Sequence, residues 1–149
     1  MPRSYTSIFT HIIFSTYERQ PLIAPDIHSP LHAYLGGIAR NLGSTPVTIG
    51  GVNDHVHLLS TLPPTISVAD FINKLKANSS KWVHERFWSR RFAWQRGYGA
   101  FSVSPSMLER VTRYIDEQEQ HHRAVTFRDE FVRFLQEAGV EYDEGYLLT

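Results

Sequence analysis

The stretch TPVTIGGVNDHVHLLSTL, residues 45–62, decides how the fold is interpreted. Two short runs rich in β-branched residues are separated by the pair ND, and this pattern predicts a tight β-hairpin. Side chains alternate between the faces of a strand, so His55 and His57 share one face and Val56 lies on the other. Two imidazoles on one face can bind a metal ion, or they can be surface histidines without a functional role.

The surrounding segments predict an α+β fold. The expected order is strand, helix, strand, strand, helix, strand and then further helices, over residues 5–16, 29–42, 45–52, 55–62, 67–87, 94–104, 104–124 and 128–138. The βαββαβ order is that of the ferredoxin-like fold, an antiparallel sheet with two helices on one face. The other face is then open, and we expect His55 and His57 on it. Ser104, or a capping box of Ser106 and Glu109, is expected to cap the helix that begins near residue 104.

Length and composition indicate one domain over residues 1–149. No apolar run approaches the roughly 18 residues that a membrane helix needs, and the N-terminus lacks a secretory cleavage site. The chain has no cysteine, which excludes disulfides, thiolate nucleophiles and cysteine-rich zinc sites. We therefore expect a cytoplasmic protein with no membrane partner.

Charge is unevenly distributed although the net charge is zero. Residues 74–96 carry seven basic side chains and one acidic one, whereas residues 116–149 carry nine acidic side chains and three arginines. A basic segment of this kind can steer an anion even when the total charge cancels. The alternative is a solvated helix face.

A second set of polar side chains lies in RYIDEQEQHH, residues 113–122. Tyr114 and Gln118 are four residues apart and therefore lie on the same helix face. His121 and His122 follow within one turn. This cluster is unusual for a solvent-exposed helix face, although the tyrosine can also lie over the core beside the neighbouring isoleucine.

HVH on a strand, followed by YIDEQEQHH on a later helix, resembles the single-tyrosine HUH transposases of bacterial insertion sequences, of the single-strand, IS200-like type. The REP-associated tyrosine transposases are relatives of this family. HIIFSTYERQPLI, KLKANSSKW, WQRGYGAFSVS and FRDEFVRFLQEAGVEYDEGYLL are similar to corresponding parts of these proteins. The resemblance covers nearly the whole chain in the same order.

This resemblance implies a ferredoxin-like sheet and a DNA transposase that cuts and rejoins single-stranded DNA at hairpin-bearing element ends. Tyr114 would be the nucleophile, forming a 5′-phosphotyrosine. His55, His57 and Gln118 would bind Mg²⁺ or Mn²⁺, which suits a site with open positions and some oxygen ligands.

Some roles remain open at this stage. His121 or His122 can replace Gln118 as the third ligand, because all three lie within one helical turn. Asp54 can also reach the metal, although the strand alternation points it to the opposite face. His11 is expected to be a buried histidine with its hydrogen bonds satisfied.

DNA binding requires a basic surface with aromatic side chains. The phosphate-binding candidates are Lys74, Lys76, Lys81, Arg86, Arg90, Arg91 and Arg96. The candidates for stacking on unpaired bases are Trp88, Trp94, Tyr98 and Phe101, while Trp82 and Phe87 are assigned to the core.

The resemblance also implies a homodimer in which the tyrosine helix of one subunit meets the histidines of the other. The main alternative is a domesticated protein that binds hairpins or palindromes, or processes REP sequences, without transposition. A simple metal-binding or hydrolytic protein would leave Tyr114 unexplained.

Overall fold

A computed structural model describes residues 4–147. The strands are β1 (Phe9–Ser15), β2 (Pro46–Val52), β3 (His55–Thr61) and β4 (Gly99–Val103). The helices are α1 (Pro25–Asn41), α2 (Val68–Phe87), α3 (Leu108–Asp116), α4 (Gln118–His121) and α5 (Phe127–Glu137). The predicted order of elements is confirmed. None of the helices between residues 4 and 147 is long and apolar enough to cross a membrane.

The four strands form one antiparallel sheet in the order β2-β3-β1-β4. This is the strand order of the ferredoxin-like plan, so the predicted fold class is correct. In the register of the sheet, Ile13 lies opposite His57 and Ser15 lies opposite His55. Directly opposed residues share a face, so the two histidines lie on the Ile13 face of the sheet.

The other face of the sheet carries the main hydrophobic core. Ile12, Phe14, Val56 and Leu58 are at most 2% exposed and pack against α1 and α2. The buried side chains of α2 recur at helical spacing, and Ser67 caps the helix by accepting a hydrogen bond from the Asp70 amide at 3.1 Å.

The expectation of an open histidine face is wrong, because α5 covers it. Phe127, Phe131 and Leu135 recur every four residues and form an apolar stripe on α5. They pack against Ile13 in a second hydrophobic cluster on the histidine face. The histidines are therefore buried in a layer between the sheet and the C-terminal helices.

Two helix boundaries differ from the predictions. α1 begins at Pro25 rather than at residue 29, because Pro25 occupies the first turn, where a missing N–H costs nothing; Pro30 lies inside the helix. The helix predicted over 104–124 begins with a short 3-10 turn at Pro105–Met107 and is divided at Glu117 into α3 and α4. Neither predicted cap forms, since no side chain caps the start of either helical segment.

A glycine on β2 sets the position of α3. Gly50 pairs with His57 across the β2–β3 ladder. A Cβ atom at Gly50 would lie 2.3 Å from the carbonyl oxygen of Ile115, so only glycine allows α3 to lie this close to the sheet. The Thr48 hydroxyl donates to Asp116 Oδ1 at 2.6 Å and supports the same contact. The close approach places Tyr114, the residue before Ile115, beside His57.

A histidine pair on α1 gives stability a predicted pH dependence. The rings of His28 and His32 lie 4.3 Å apart, and the buried Nε2 of His32 has no hydrogen-bond partner within the described part of the chain. Burial and the neighbouring His28 lower the pKa of His32 to about 4. Between pH 6.5 and 4 the unfolded chain therefore binds a proton at His32 that the folded chain excludes.

Lowering the pH through that window is expected to reduce the free energy of unfolding by up to about 3 kcal/mol for this group. Urea unfolding at pH 7 and at pH 4.5 measures the loss. The loss should be smaller in His32→Leu, and it should stay at the wild-type value in His84→Gln, which alters an exposed residue of α2. An equal loss in wild type and His32→Leu would contradict this prediction.

Candidate active site between the sheet and the C-terminal helices

The structure brings the four residues of the predicted centre together within one chain. His55, His57 and Gln118 are at most 1% exposed. His55 Nε2 lies 3.0 Å from Gln118 Oε1. The ring of Tyr114 lies 5.9 Å from the ring of His57.

Two further side chains orient the site histidines by contacting their Nδ1 atoms, on the side of each ring away from the cluster. Asp54 Oδ1 lies 2.7 Å from His55 Nδ1, so Asp54 contacts the outer nitrogen of the imidazole rather than the centre of the cluster. His11 Nε2 lies 2.7 Å from His57 Nδ1. Both arrangements direct Nε2 of the site histidine inward, which is how metal-binding histidines are commonly held. The prediction of a buried, satisfied His11 is confirmed.

Glu130 of α5 occupies the centre of the cluster, and the sequence did not predict it. Its side chain is fully buried. One carboxylate oxygen, Oε1, lies 2.9 Å from His57 Nε2, 3.1 Å from His122 Nε2 and 3.5 Å from His55 Nε2. The other oxygen, Oε2, accepts a hydrogen bond from Gln118 Nε2 at 3.2 Å.

The charges of the cluster follow from these contacts. Burial alone would raise the pKa of the Glu130 carboxyl, but the imidazoles of His122 and His57 hold it below its usual range. Burial lowers the pKa of His57 to about 4 despite the opposing effect of Glu130. At neutral pH the centre therefore holds an ionised carboxylate among imidazoles, of which His57 is neutral.

This donor set fits a divalent cation. One ligand atom from each of His55, His57, His122 and Glu130 lies within 4.8 Å of all the others. The Nε2 atom of His122 is buried, and apart from its 3.1 Å contact with Glu130 Oε1 it has no hydrogen-bond partner among residues 4–147. A bound cation would satisfy that nitrogen and compensate the buried carboxylate.

The hydroxyl of Tyr114 lies at the edge of the same cluster. It donates a hydrogen bond to Glu130 Oε2, and it lies 3.2 Å from His121 Nε2 and from Arg133 Nη2. Burial and the Glu130 carboxylate raise the pKa of Tyr114 above its ordinary value. The phenol is therefore neutral at pH 7, and its proton must leave when the oxygen forms a new bond.

A cavity connects the tyrosine to solvent. It has a volume of about 320 Å³ and is lined by Tyr114, Glu117, Gln120 and His121. The nucleophile predicted from the sequence can therefore be reached from outside while the histidines stay buried.

The predicted DNA-binding residues divide between two regions, and all but one are exposed. Lys74 and Lys81 lie on α2, on the opposite side of the sheet from the histidines. Arg90, Arg91 and Arg96 lie on the segment between α2 and β4. Arg86, near the end of α2, is also exposed.

Lys76 is the exception and is directed inward. Its ammonium donates to the carbonyl oxygens of Gln95, Arg96 and Gly97 at 3.0, 3.3 and 2.5 Å. These three bonds occupy the ammonium and hold the loop that leads into β4, so Lys76 is not available to a phosphate in this conformation.

The aromatic candidates also divide. Trp88 is 85% exposed, whereas Trp94 is 9% exposed and donates from Nε1 to the Ser79 hydroxyl at 2.9 Å. Phe101 stacks on Phe134 with a centroid distance of 5.6 Å. Stacking on bases by Trp94 is therefore excluded in this conformation, because its ring forms part of the core.

Comparison with known families identifies the class of protein. The family described as "Transposase IS200 like" matches residues 4–118, which is most of the chain. The chain belongs to the IS200-like transposase family. The match ends at Gln118, so His121, His122 and Glu130 lie beyond the matched segment.

Individual relatives agree with this assignment. The transposase is 26% identical to the ISDra2 transposase TnpA of Deinococcus radiodurans over 115 residues, which cover 72% of this chain and 81% of the relative. It is 34% identical over 71 residues to the transposase for insertion sequence element IS200 of Salmonella typhimurium, covering 44% of this chain and 46% of that protein.

Solved structures share the fold. A protein of Deinococcus radiodurans R1 described as a candidate transposase superposes with a TM-score of 0.63 and 25% identity, over 79% of this chain and 96% of its own. A REP-associated tyrosine transposase bound to a REP hairpin superposes with a TM-score of 0.61 and 14% identity, over 96% of this chain and 92% of its own. The identity of the second is low enough that it supports the fold alone.

Proposed function

We propose that this IS200-like transposase cuts and rejoins single-stranded DNA at hairpin-bearing ends of a mobile element, working as one domain. The observation that carries the proposal is the position of the Tyr114 hydroxyl, which lies within hydrogen-bond distance of the buried cluster and is open to solvent. A tyrosine packed only for stability would not need a polar, cation-binding centre at its hydroxyl.

In the proposed step, Tyr114 Oη attacks a backbone phosphate. A bond forms between Oη and phosphorus, and the bond from phosphorus to the 3′ oxygen breaks. The phenol loses its proton, and the departing oxygen gains one to become a free 3′-hydroxyl. The product is a 5′-phosphotyrosine, which keeps the phosphoester and allows the reverse reaction to join strands without another energy source.

We propose that His55, His57 and Gln118 hold Mg²⁺ or Mn²⁺. When bound, the ion polarises the phosphoryl oxygens and stabilises the developing negative charge. His57 can offer Nε2 to a cation when its proton is on Nδ1, where His11 Nε2 can accept a hydrogen bond. Asp54 can likewise keep the proton of His55 on Nδ1 by accepting a hydrogen bond from it, which leaves Nε2 of His55 free to bind the cation.

The DNA partner is proposed to be a single strand that carries a hairpin. We base this choice of ligand on the structural neighbour of the same fold, which is bound to a REP hairpin. Lys74, Lys81, Arg90, Arg91 and Arg96 are the proposed phosphate contacts, and Trp88 is the exposed aromatic side chain among them.

The test uses labelled single-stranded oligonucleotides that cover the DNA flanking the gene, incubated with the protein and Mg²⁺ or Mn²⁺. We expect a metal-dependent protein–DNA adduct that survives denaturation, together with a free 3′-hydroxyl fragment. Tight hairpin binding without an adduct under either metal would contradict the proposed reaction.

Binding without an adduct would favour a protein that binds hairpins or palindromes without transposition. A protein that processes REP sequences without transposition is a related alternative. This alternative is suggested by the REP-associated tyrosine transposase that shares the fold of this chain and is bound to a REP hairpin. REP processing through a covalent intermediate is distinguished from transposition by offering a second DNA end and testing whether the strands are joined.

We also propose a homodimer in which the tyrosine helices are exchanged between subunits. In the structure the tyrosine and the histidines meet within one chain, and exchange of α3 and α4 between two chains would reproduce the same contacts. We expect that mixing Tyr114→Phe with His57→Ala restores cleavage, because one shared site then contains both intact residues. If a mixture that forms dimers by light scattering stays inactive, each chain uses its own site.

A further inference from the structure

We propose that Glu130 and His122 are additional ligands of the metal ion, so that α5 supplies a carboxylate to a centre otherwise formed by the sheet and α4. The inference rests on the proposed function, because it concerns the same ion. It extends the ligand set implied by the family resemblance, His55, His57 and Gln118, by two residues that lie beyond the matched segment.

The position of Oε1 is the main argument. This one oxygen faces the Nε2 atoms of three histidines at 2.9, 3.1 and 3.5 Å. Three imidazole nitrogens and a carboxylate oxygen that converge in this way form a mixed nitrogen and oxygen set, in which the carboxylate supplies the kind of ligand that suits Mn²⁺. Gln118 can supply a further neutral oxygen from its position beside His55.

Burial supplies the second argument. Glu130 is fully buried, and a carboxylate in such a position is stable only when charge or hydrogen bonds compensate it. His122 Nε2 lies 3.1 Å away, is buried and has no other hydrogen-bond partner among the described residues. A cation between these two groups would satisfy both.

The capping and packing of α5 fix the position of the Glu130 carboxylate. Thr126 caps the helix by accepting from the Asp129 amide at 3.2 Å. Phe127 and Phe131 flank Glu130 and stack with a centroid distance of 5.6 Å. Glu130 therefore enters the cluster from a packed helix, and its second oxygen contacts the Tyr114 hydroxyl. An ion bound at Oε1 is separated from the nucleophile by a single carboxylate.

The experiment measures Mn²⁺ affinity without DNA, by the electron paramagnetic resonance signal of free Mn²⁺ during a titration of the full chain. Glu130→Gln keeps the shape of the side chain and removes its charge, and it is expected to raise the dissociation constant at least about tenfold. Glu137→Gln is the matched control on the same helix, where the carboxylate is 68% exposed, and it should bind as wild type does.

His122→Asn tests the other proposed ligand. If circular dichroism shows that Glu130→Gln does not fold, the affinity of His122→Asn for Mn²⁺ decides the test instead. His122→Asn should also weaken binding at least about tenfold. His57→Ala separates this inference from the proposed function. Wild-type affinity in Glu130→Gln and His122→Asn, with lost affinity in His57→Ala, would overturn the inference and leave the proposed metal site intact. Wild-type affinity in all three would overturn both.

Discussion

Tyr114→Phe is expected to form no covalent adduct with DNA and to cut single strands at least about 1,000-fold more slowly than the wild type. Phenylalanine keeps the ring that lies 5.9 Å from His57 and removes only the oxygen that would bond to phosphorus. The loss of the hydroxyl also removes a hydrogen bond to the buried Glu130 carboxylate, at a cost of about 1.5–3 kcal/mol of stability, which is below the roughly 5–15 kcal/mol that keeps a domain folded. This cost is too small to unfold the chain, so the loss of activity would be chemical.

The measurement is a denaturing gel of labelled oligonucleotide after incubation with each protein. Tyr5→Phe is the control, because Tyr5 is 91% exposed and lies outside the cluster. It should form the adduct at the wild-type rate. An adduct of normal yield in Tyr114→Phe would show that another residue is the nucleophile.

Gly50→Ala is expected to have the second largest effect, although glycine has no side chain that could bind a metal ion or DNA. The added Cβ would lie 2.3 Å from the carbonyl oxygen and 2.8 Å from Cγ2 of Ile115. Backbone cannot rotate away as a flexible side chain can, so α3 must move outward and carry Tyr114 away from His57. We expect a loss of about 2–3 kcal/mol of stability and a fall in cleavage of at least about tenfold.

Gly37→Ala provides the matched control for this substitution. A Cβ at Gly37 meets nothing within 4 Å, and alanine is the better residue in a helix by about 0.5–1 kcal/mol. Chemical unfolding and the cleavage assay should therefore show a stable, active Gly37→Ala protein beside a destabilised, weakly active Gly50→Ala protein. Equal stability of the two variants would contradict the proposed role of Gly50.

Much of the sheet could be predicted from local pattern. The alternation around HVH placed His55 and His57 on one face and Val56 on the other, and the structure has this arrangement. The four-residue spacing of Tyr114 and Gln118 predicted a shared helix face, and the family resemblance implied that this face meets the histidines, as it does in the structure. These features depend on the periods of strands and helices, which short stretches of sequence record.

The features that could not be predicted depend on long-range packing. The stripe of α5 showed that one face of the helix must be buried, but not which surface would cover it. Lys76 has the spacing of an exposed lysine, and only the return of the chain at residues 95–97 turns it inward. The tyrosine helix is divided at Glu117, and no glycine or proline lies there from which the division could have been predicted.

Glu130 did leave a signal in the sequence. It lies three residues after Phe127 and one before Phe131, so it occupies the apolar stripe of α5 rather than the polar face. A carboxylate at such a position must find a cation or several donors when the stripe is buried. That pattern, considered together with the nearby histidine pair, would have indicated a member of the site.

The central claim is that Tyr114 becomes covalently joined to the 5′ phosphate of a cut single strand. Mass spectrometry of the trypsin-digested adduct tests it directly, since cleavage after Arg113 and Arg123 isolates the peptide YIDEQEQHHR, which contains a single tyrosine. We predict a nucleotide attached through phosphate to Tyr114 in that peptide, formed only when Mg²⁺ or Mn²⁺ is present. A nucleotide on a peptide that contains another tyrosine, or complete cleavage with no modified peptide, would contradict the account.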